Sequence, residues 1–115
     1  MFIPFDPSKI PVLRKVPVED IKVMMFTGVV SMRSYPKGSV IHNKEEPVEA
    51  LEIIVLGEVS EYQNQDIPIQ VMRLYDSLIP LELLMKQTMY KHNLVASKDT
   101  LILILPKRIL GNFHT

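Results

Sequence analysis

The sequence predicts one mainly β domain of antiparallel strands, and three observations carry that expectation. From Gly28 onward, short β-branched runs are separated by clusters of Pro, Gly, Asn and Asp. In the segment 55–62, Val59 stands against Glu58, Ser60 and Glu61, the alternation of a half-buried strand. The chain has 115 residues, 47% hydrophobic and 23% charged, which supplies one core and is too short for two ordinary domains. A chain of this length removes roughly two thirds of its unfolded surface from water, which argues against disorder.

Four of the nine prolines, Pro4, Pro7, Pro11 and Pro17, crowd residues 1–17. Each fixes φ and withholds a backbone donor, so this stretch reads as an extended or turning arm. Residues 18–26 follow with Glu19 and Asp20 in the first turn and Ile21, Met24 and Met25 at helical spacing, which predicts a short amphipathic helix. Strands are expected at 29–34, 39–41, 50–55, 58–63, 69–74, 94–96 and 101–105, so the β-rich body spans 29–105. The intervening segments 35–38, 43–47, 64–66 and 97–99 carry turn residues. One stretch breaks the strand rhythm. Behind Pro80, residues 81–86 are helix formers, and proline suits the first helical turn, so a short helix interrupts the sheet. A further helix can begin at Pro106 and run through Leu110. No internal repeat or low-complexity tract is present.

Composition excludes several functions. Without cysteine there is no disulfide framework, cysteine-ligated zinc, cysteine-held iron–sulfur cluster or thiol nucleophile, which fits a reducing cytoplasm. Thirteen basic residues balance thirteen acidic ones, so the basic field that holds a phosphate backbone is missing and direct nucleic-acid binding is not expected. The longest apolar runs are far shorter than a bilayer span, and the N-terminus lacks the basic and apolar regions of a secretory signal.

Tyr35-Pro36-Lys37-Gly38-Ser39-Val40-Ile41, then Pro47 and Glu49, then the run from Leu51 through Gly57-Glu58-Val59 resemble the front half of a known pattern without a gap. Asp76, Leu83-Leu84, Tyr90, Ala96, Asp99-Thr100 and Ile104-Leu105-Pro106 resemble its back half more loosely. The pattern is that of the cyclic-nucleotide-binding-like sensor domain of Crp/Fnr-type transcription regulators. The resemblance implies a double-stranded β-roll, or jelly roll, of the cupin-like kind, with a short N-terminal helix and a short helix at the ligand cassette. It also implies a long dimerising helix and a DNA-binding helix-turn-helix after the roll, and the sequence ends at Thr115, where that helix is expected to start. Independently, Gly38 and Gly57 sit where turns call for positive φ.

In the family, a glycine and glutamate open the cassette helix and an arginine further along pairs with the cyclic phosphate. Aligned on this chain, the glycine and glutamate fall on Ile79 and Pro80, or one residue later, and neither register restores them. No glycine occurs between Glu58 and Leu110, and no arginine between Arg73 and Arg108. Only Lys91 and His92 are available as substitutes, and a lysine offers a point charge where arginine offers a rigid fork. Cyclic AMP and cyclic GMP are therefore not expected to bind. Another small-molecule effector would meet Ile79, Pro80, Glu82, Lys91, His92 and Asn93 at the roll's mouth; in the opposing reading Ile79 and Leu81 pack into the core and the polar residues are solvated.

His42, His92 and His114 could ligate a metal as in cupin enzymes, but no His-x-His pair exists, and His42 with Glu45 and Glu46 is a fragment of such a site. Haem ligation is disfavoured because Met24, Met25, Met32, Met72 and Met85 sit at apolar periodic positions. No nucleophile elbow or assigned base is present, and Glu45, Glu46 and Glu49 read as a solvated turn. The expectation is a non-enzymatic, cofactor-free sensing or regulatory module, monomeric or dimeric through a surface other than the family's long helix. A small cupin-like metalloenzyme and a filled roll acting only in protein–protein interaction are the alternatives.

Overall fold

The computed structural model describes residues 2–64 and 66–111. Seven strands form two antiparallel sheets. β1 (Ser31–Tyr35), β7 (Thr100–Pro106) and β3 (Ala50–Leu56) make one, in the order β1-β7-β3. β2 (Val40–His42), β6 (Asn93–Ala96), β4 (Val59–Tyr62) and β5 (Pro68–Met72) make the other, in the order β2-β6-β4-β5. All seven expected strands are present, as is the β-roll with its short flanking helices.

The strand ends differ from the sequence expectation where local hydrogen bonds intervene. β1 starts at Ser31 rather than residue 29, because the Val30 amide bonds to the Met24 carbonyl at 3.1 Å and holds the chain against the end of the preceding helix. β5 stops at Met72, since Asp76 Oδ2 accepts from the Arg73 amide at 2.8 Å and closes a turn in which Tyr75 takes φ 67°. The turn expected at 64–66 contains Gln65, which lies outside the described residues.

The proline-rich arm is not extended. Asp6 caps a 3-10 turn over Pro7–Lys9 through the Ser8 amide at 3.0 Å, and a second such turn spans Pro11–Leu13. These turns bury Ile10 and Leu13, with 0% and 1% exposure. Ile10, Pro11 and Val12 line a cavity with Leu51 and Ile53, so the arm covers one face of β3. Helix α1 (Val18–Phe26) has Glu19 and Asp20 in its first turn, favourable against the helix dipole, and sinks Ile21 into the core. Helices α2 (Leu81–Leu84) and α3 (Lys107–Leu110) are single turns behind Pro80 and Pro106.

The buried apolar side chains form one cluster in which Ile54, Val59, Ala96, Ile102, Leu103 and Leu105 have no exposed surface. Every residue of β3 from Leu51 to Val55 is buried, on both strand faces. That stretch is uniformly apolar except for Glu52, which is 5% exposed. Among the described residues, no helix is long and apolar enough to cross a membrane.

Candidate functional site in the roll

Of the six residues expected at the mouth of the roll, Pro80 and Glu82 share one cavity, and Lys91, His92 and Asn93 lie apart from it. Ile79 is buried, while Pro80 caps α2 and Glu82 lies exposed in its first turn. Pro80 and Glu82 line a cavity of about 410 Å³ with the arm residues Ile10 and Val12 and with Tyr75 and Asp76. Lys91 is exposed beside Lys44, Glu45 and Lys86 at a second depression. His92 places Nδ1 2.9 Å from Glu61 Oε2. Asn93 Oδ1 accepts from the Lys44 amide at 2.7 Å, and its side chain borders a third depression with Tyr62.

A different set of polar residues does converge. β2 ends at His42 after a register irregularity between Val40 and His42. The following loop turns at Glu46, whose amide bonds to the Asn43 carbonyl at 3.1 Å, with Glu45 at φ 76°. That loop is laced to Tyr90: the Glu45 amide bonds to the Tyr90 carbonyl at 2.8 Å, and the Tyr90 amide to the Glu46 carbonyl at 2.9 Å. The lacing lays the Tyr90 ring on the His42 ring, with centroids 4.1 Å apart and planes within 12°.

Glu52, on the other sheet, completes the group. His42 Nδ1 is 2.8 Å from Glu46 Oε2 and Nε2 is 2.5 Å from Glu52 Oε2, while the Tyr90 hydroxyl donates to the same Glu52 oxygen at 2.7 Å. A neutral imidazole has one N–H and a carboxylate has none, so two carboxylates on two ring nitrogens require the imidazolium. Burial opposes that charge, but the hydrogen bonds and negative charges of Glu52 and then Glu46 outweigh it and raise the His42 pKa above 6.5. Glu46 is held below its ordinary value by the Asn43 backbone hydrogen bond and then by His42. Burial, followed by the Glu52 charge, pushes the Tyr90 hydroxyl strongly upward, so it stays a donor.

His42, Glu46 and Glu52 line a cavity of about 340 Å³ together with Arg33, Tyr35 and Glu49. The sequence offers His42 and Glu46 only as a fragment of a metal site, reads Glu46 and Glu49 as a solvated turn, marks Tyr35 and Tyr90 only through the family resemblance, and gives Arg33 and Glu52 no role. The signal available for Glu52 was a lone carboxylate inside an apolar strand. Glu45, grouped with His42 in the metal reading, points elsewhere in the loop and does not bond to it; His114 lies outside the described residues. Among the described residues no group of three His, Asp or Glu is arranged to hold a metal ion. The cassette segment consists of the single turn α2, opened by Pro80 at φ −54° and ψ 137°.

No family model matches the chain, and no curated protein sequence matches it either. Solved structures do. The N-terminal domain of a transcriptional regulator from Streptomyces coelicolor superposes with TM-score 0.69 at 14% identity, over 94% of this chain and 77% of that one. The catabolite activator protein of Thermus thermophilus gives TM-score 0.65 at 18% identity over 90% of this chain, which spans 49% of that protein. A cyclic nucleotide-binding-like protein from Brucella abortus gives 0.67 at 14% identity, over 92% and 91% of the two chains. At such identities the likeness speaks for architecture. The two sheets, the one-turn helix between β5 and β6 and the helices at either end thus form a β-roll of the cyclic-nucleotide-binding-like fold, the one shared with sensor domains of Crp/Fnr-type regulators.

Proposed function

We propose that this chain is a non-enzymatic sensing or regulatory roll, of the kind found in Crp/Fnr-type regulators, whose cassette does not take cyclic nucleotides. The observation that carries the reading is the cassette itself. A cyclic phosphate is gripped by backbone amides at a glycine-opened helix start and by a forked cation. Here the helix start is Pro80, which has no amide hydrogen, preceded by the buried Ile79, and Glu82 projects an exposed carboxylate beside it. A phosphate at that position would face a negative charge and find no arginine between Arg73 and Arg108. The neighbours' names support the regulatory half of the reading, since they are regulators and binding proteins.

The effector would be a small molecule other than a cyclic nucleotide, and the balanced net charge disfavours direct contact with nucleic acid by this roll. A second reading, a roll acting through protein contacts, draws on Leu81, Leu83, Met85 and Met89, which are 42–69% exposed at and just after α2. Isothermal titration with cyclic AMP and cyclic GMP tests the main reading. No heat of binding is expected up to millimolar nucleotide, and a dissociation constant in the micromolar range or tighter would refute it.

A further inference from the structure

The cavity between Arg33, Tyr35 and the His42–Glu52 pair is separate from the cassette, and its charges have a definite sign. Three carboxylates, Glu46, Glu49 and Glu52, line it against the cations Arg33 and His42. His42 is consumed by Glu46 and Glu52, which clamp both ring nitrogens. Glu52 is the unusual member: it is 5% exposed, sits in the middle of the apolar strand β3, and puts both of its hydrogen bonds on one oxygen. Its other oxygen, Oε1, accepts nothing from the described residues, yet no fully buried side-chain polar atom there goes without a partner. Oε1 therefore has its free lone pairs in the cavity rather than in sealed core. With Oε2 fixed by His42 and the Tyr90 hydroxyl, Oε1 is a preset acceptor for a donor that enters the cavity. Glu49, exposed in the same lining, forms no ion pair with the described residues, nor does Arg33, so Glu49 adds a second acceptor and the three carboxylates outnumber the two cations by one.

We infer that this cavity binds a small organic cation, an alkyl amine or guanidinium compound, whose charged nitrogen donates to Glu52 Oε1 and Glu49. Its volume of about 340 Å³ suits a ligand of metabolite size. The inference rests on the reading of the chain as a sensor and supplies the effector class that the cassette lacks. The Tyr35 ring and Ile104 give the cavity apolar wall for the ligand's carbon chain, and the rigidity of the His42–Tyr90–Glu52 group holds the acceptor in place before binding.

Two-dimensional NMR titration of the full chain with agmatine tests this, with succinate as anionic control and cyclic AMP in a parallel arm. Agmatine is expected to give saturable shifts centred on Arg33, Glu49 and Glu52, with a dissociation constant below about 1 mM. Glu49→Gln, at an exposed position, is expected to weaken binding about tenfold or more while leaving the melting temperature near that of the parent. Glu52→Gln should abolish binding, and Glu49→Gln keeps the test decisive where that core variant fails to fold. The inference is overturned by an absence of saturation at about 10 mM agmatine, by equal shifts with succinate, or by binding indifferent to Glu49→Gln. Saturable binding of cyclic AMP would instead overturn the reading of the cassette, and leaves the agmatine result to stand by itself.

Discussion

At the residue scale the molecule departs most from an ordinary β core at His42. Its folded pKa lies above the 6.5 of an unpaired ring, because Glu52 and Glu46 together outweigh the cost of burial. A raised pKa means the folded state holds the proton more tightly than the unfolded chain does. The pairing therefore contributes fully below about pH 6.5, and its contribution disappears as pH rises through the folded value. Urea unfolding followed from pH 5 to 9 is expected to show stability declining across the upper part of that window. In His42→Leu the slope should flatten, with an added loss of about 2–3 kcal/mol because Glu52 and Glu46 lose their donor. A slope that survives the substitution would assign the titration to another group.

Gly57 offers a second residue-scale test. It has φ 95°, and an added Cβ would lie 2.4 Å from the Asp99 carbonyl oxygen and 2.5 Å from Thr100 Oγ1. Gly38 has a comparable φ of 91°, with open space where a Cβ would go. Gly57→Ala should then cost roughly 2–4 kcal/mol, from left-handed backbone plus overpacking, and Gly38→Ala only about 1–2 kcal/mol. Denaturation midpoints of the two variants give the comparison, and equal losses would show that backbone conformation alone matters. Both positions were legible in the sequence as turn glycines, but the steric difference between them was not. It depends on Asp99 and Thr100, at the start of β7, lying against the turn between β3 and β4, which no local pattern encodes.

At the element scale, strands were easier to read than their partners. β-branched runs and turn residues placed all seven strands to within a few residues, because those signals are local. The prolines of the arm mark it only as extended or turning. Asp6-Pro7-Ser8 carried the capping signal for a tight turn, and its outcome is a covering layer rather than a tail. Ile10 is completely buried, while Phe26, larger and at the end of α1, is 82% exposed. Ile10→Ala should therefore cost about 2–5 kcal/mol, and Phe26→Ala should fall within about 0.5 kcal/mol of the parent. Chemical denaturation measures both, and a loss at Ile10 no larger than that at Phe26 would mean that the arm does not pack on β3 in solution. The candidate cavity was the least legible feature, since its walls come from β1, the loop after β2 and β3, with Tyr90 brought in by backbone bonds to residues 45 and 46. Only the charge of Glu52 in its apolar run announced it.

At the scale of the whole molecule, the pairing of the first strand with the last sets how binding is reported. β1 is joined to β7 along its full length, and β7 to β3, so the sheet closes only when distant parts of the chain are in place. Such a roll of one hydrophobic cluster is expected to unfold as a unit, and a ligand bound anywhere in it raises the melting temperature of the entire domain. A ligand present at 100 times its dissociation constant stabilises by about 2.7 kcal/mol. For a domain of this size that corresponds to an upward shift of roughly 11–22 °C, taking about 4–8 °C for each kcal/mol. Cyclic AMP at 1 mM would thus be conspicuous if it bound with micromolar affinity, even at a site other than the cassette. The expectation from Pro80, Ile79 and Glu82 is no shift beyond scatter in a thermal melt, whereas a rise of several degrees would show that the roll has kept a nucleotide site built from other atoms.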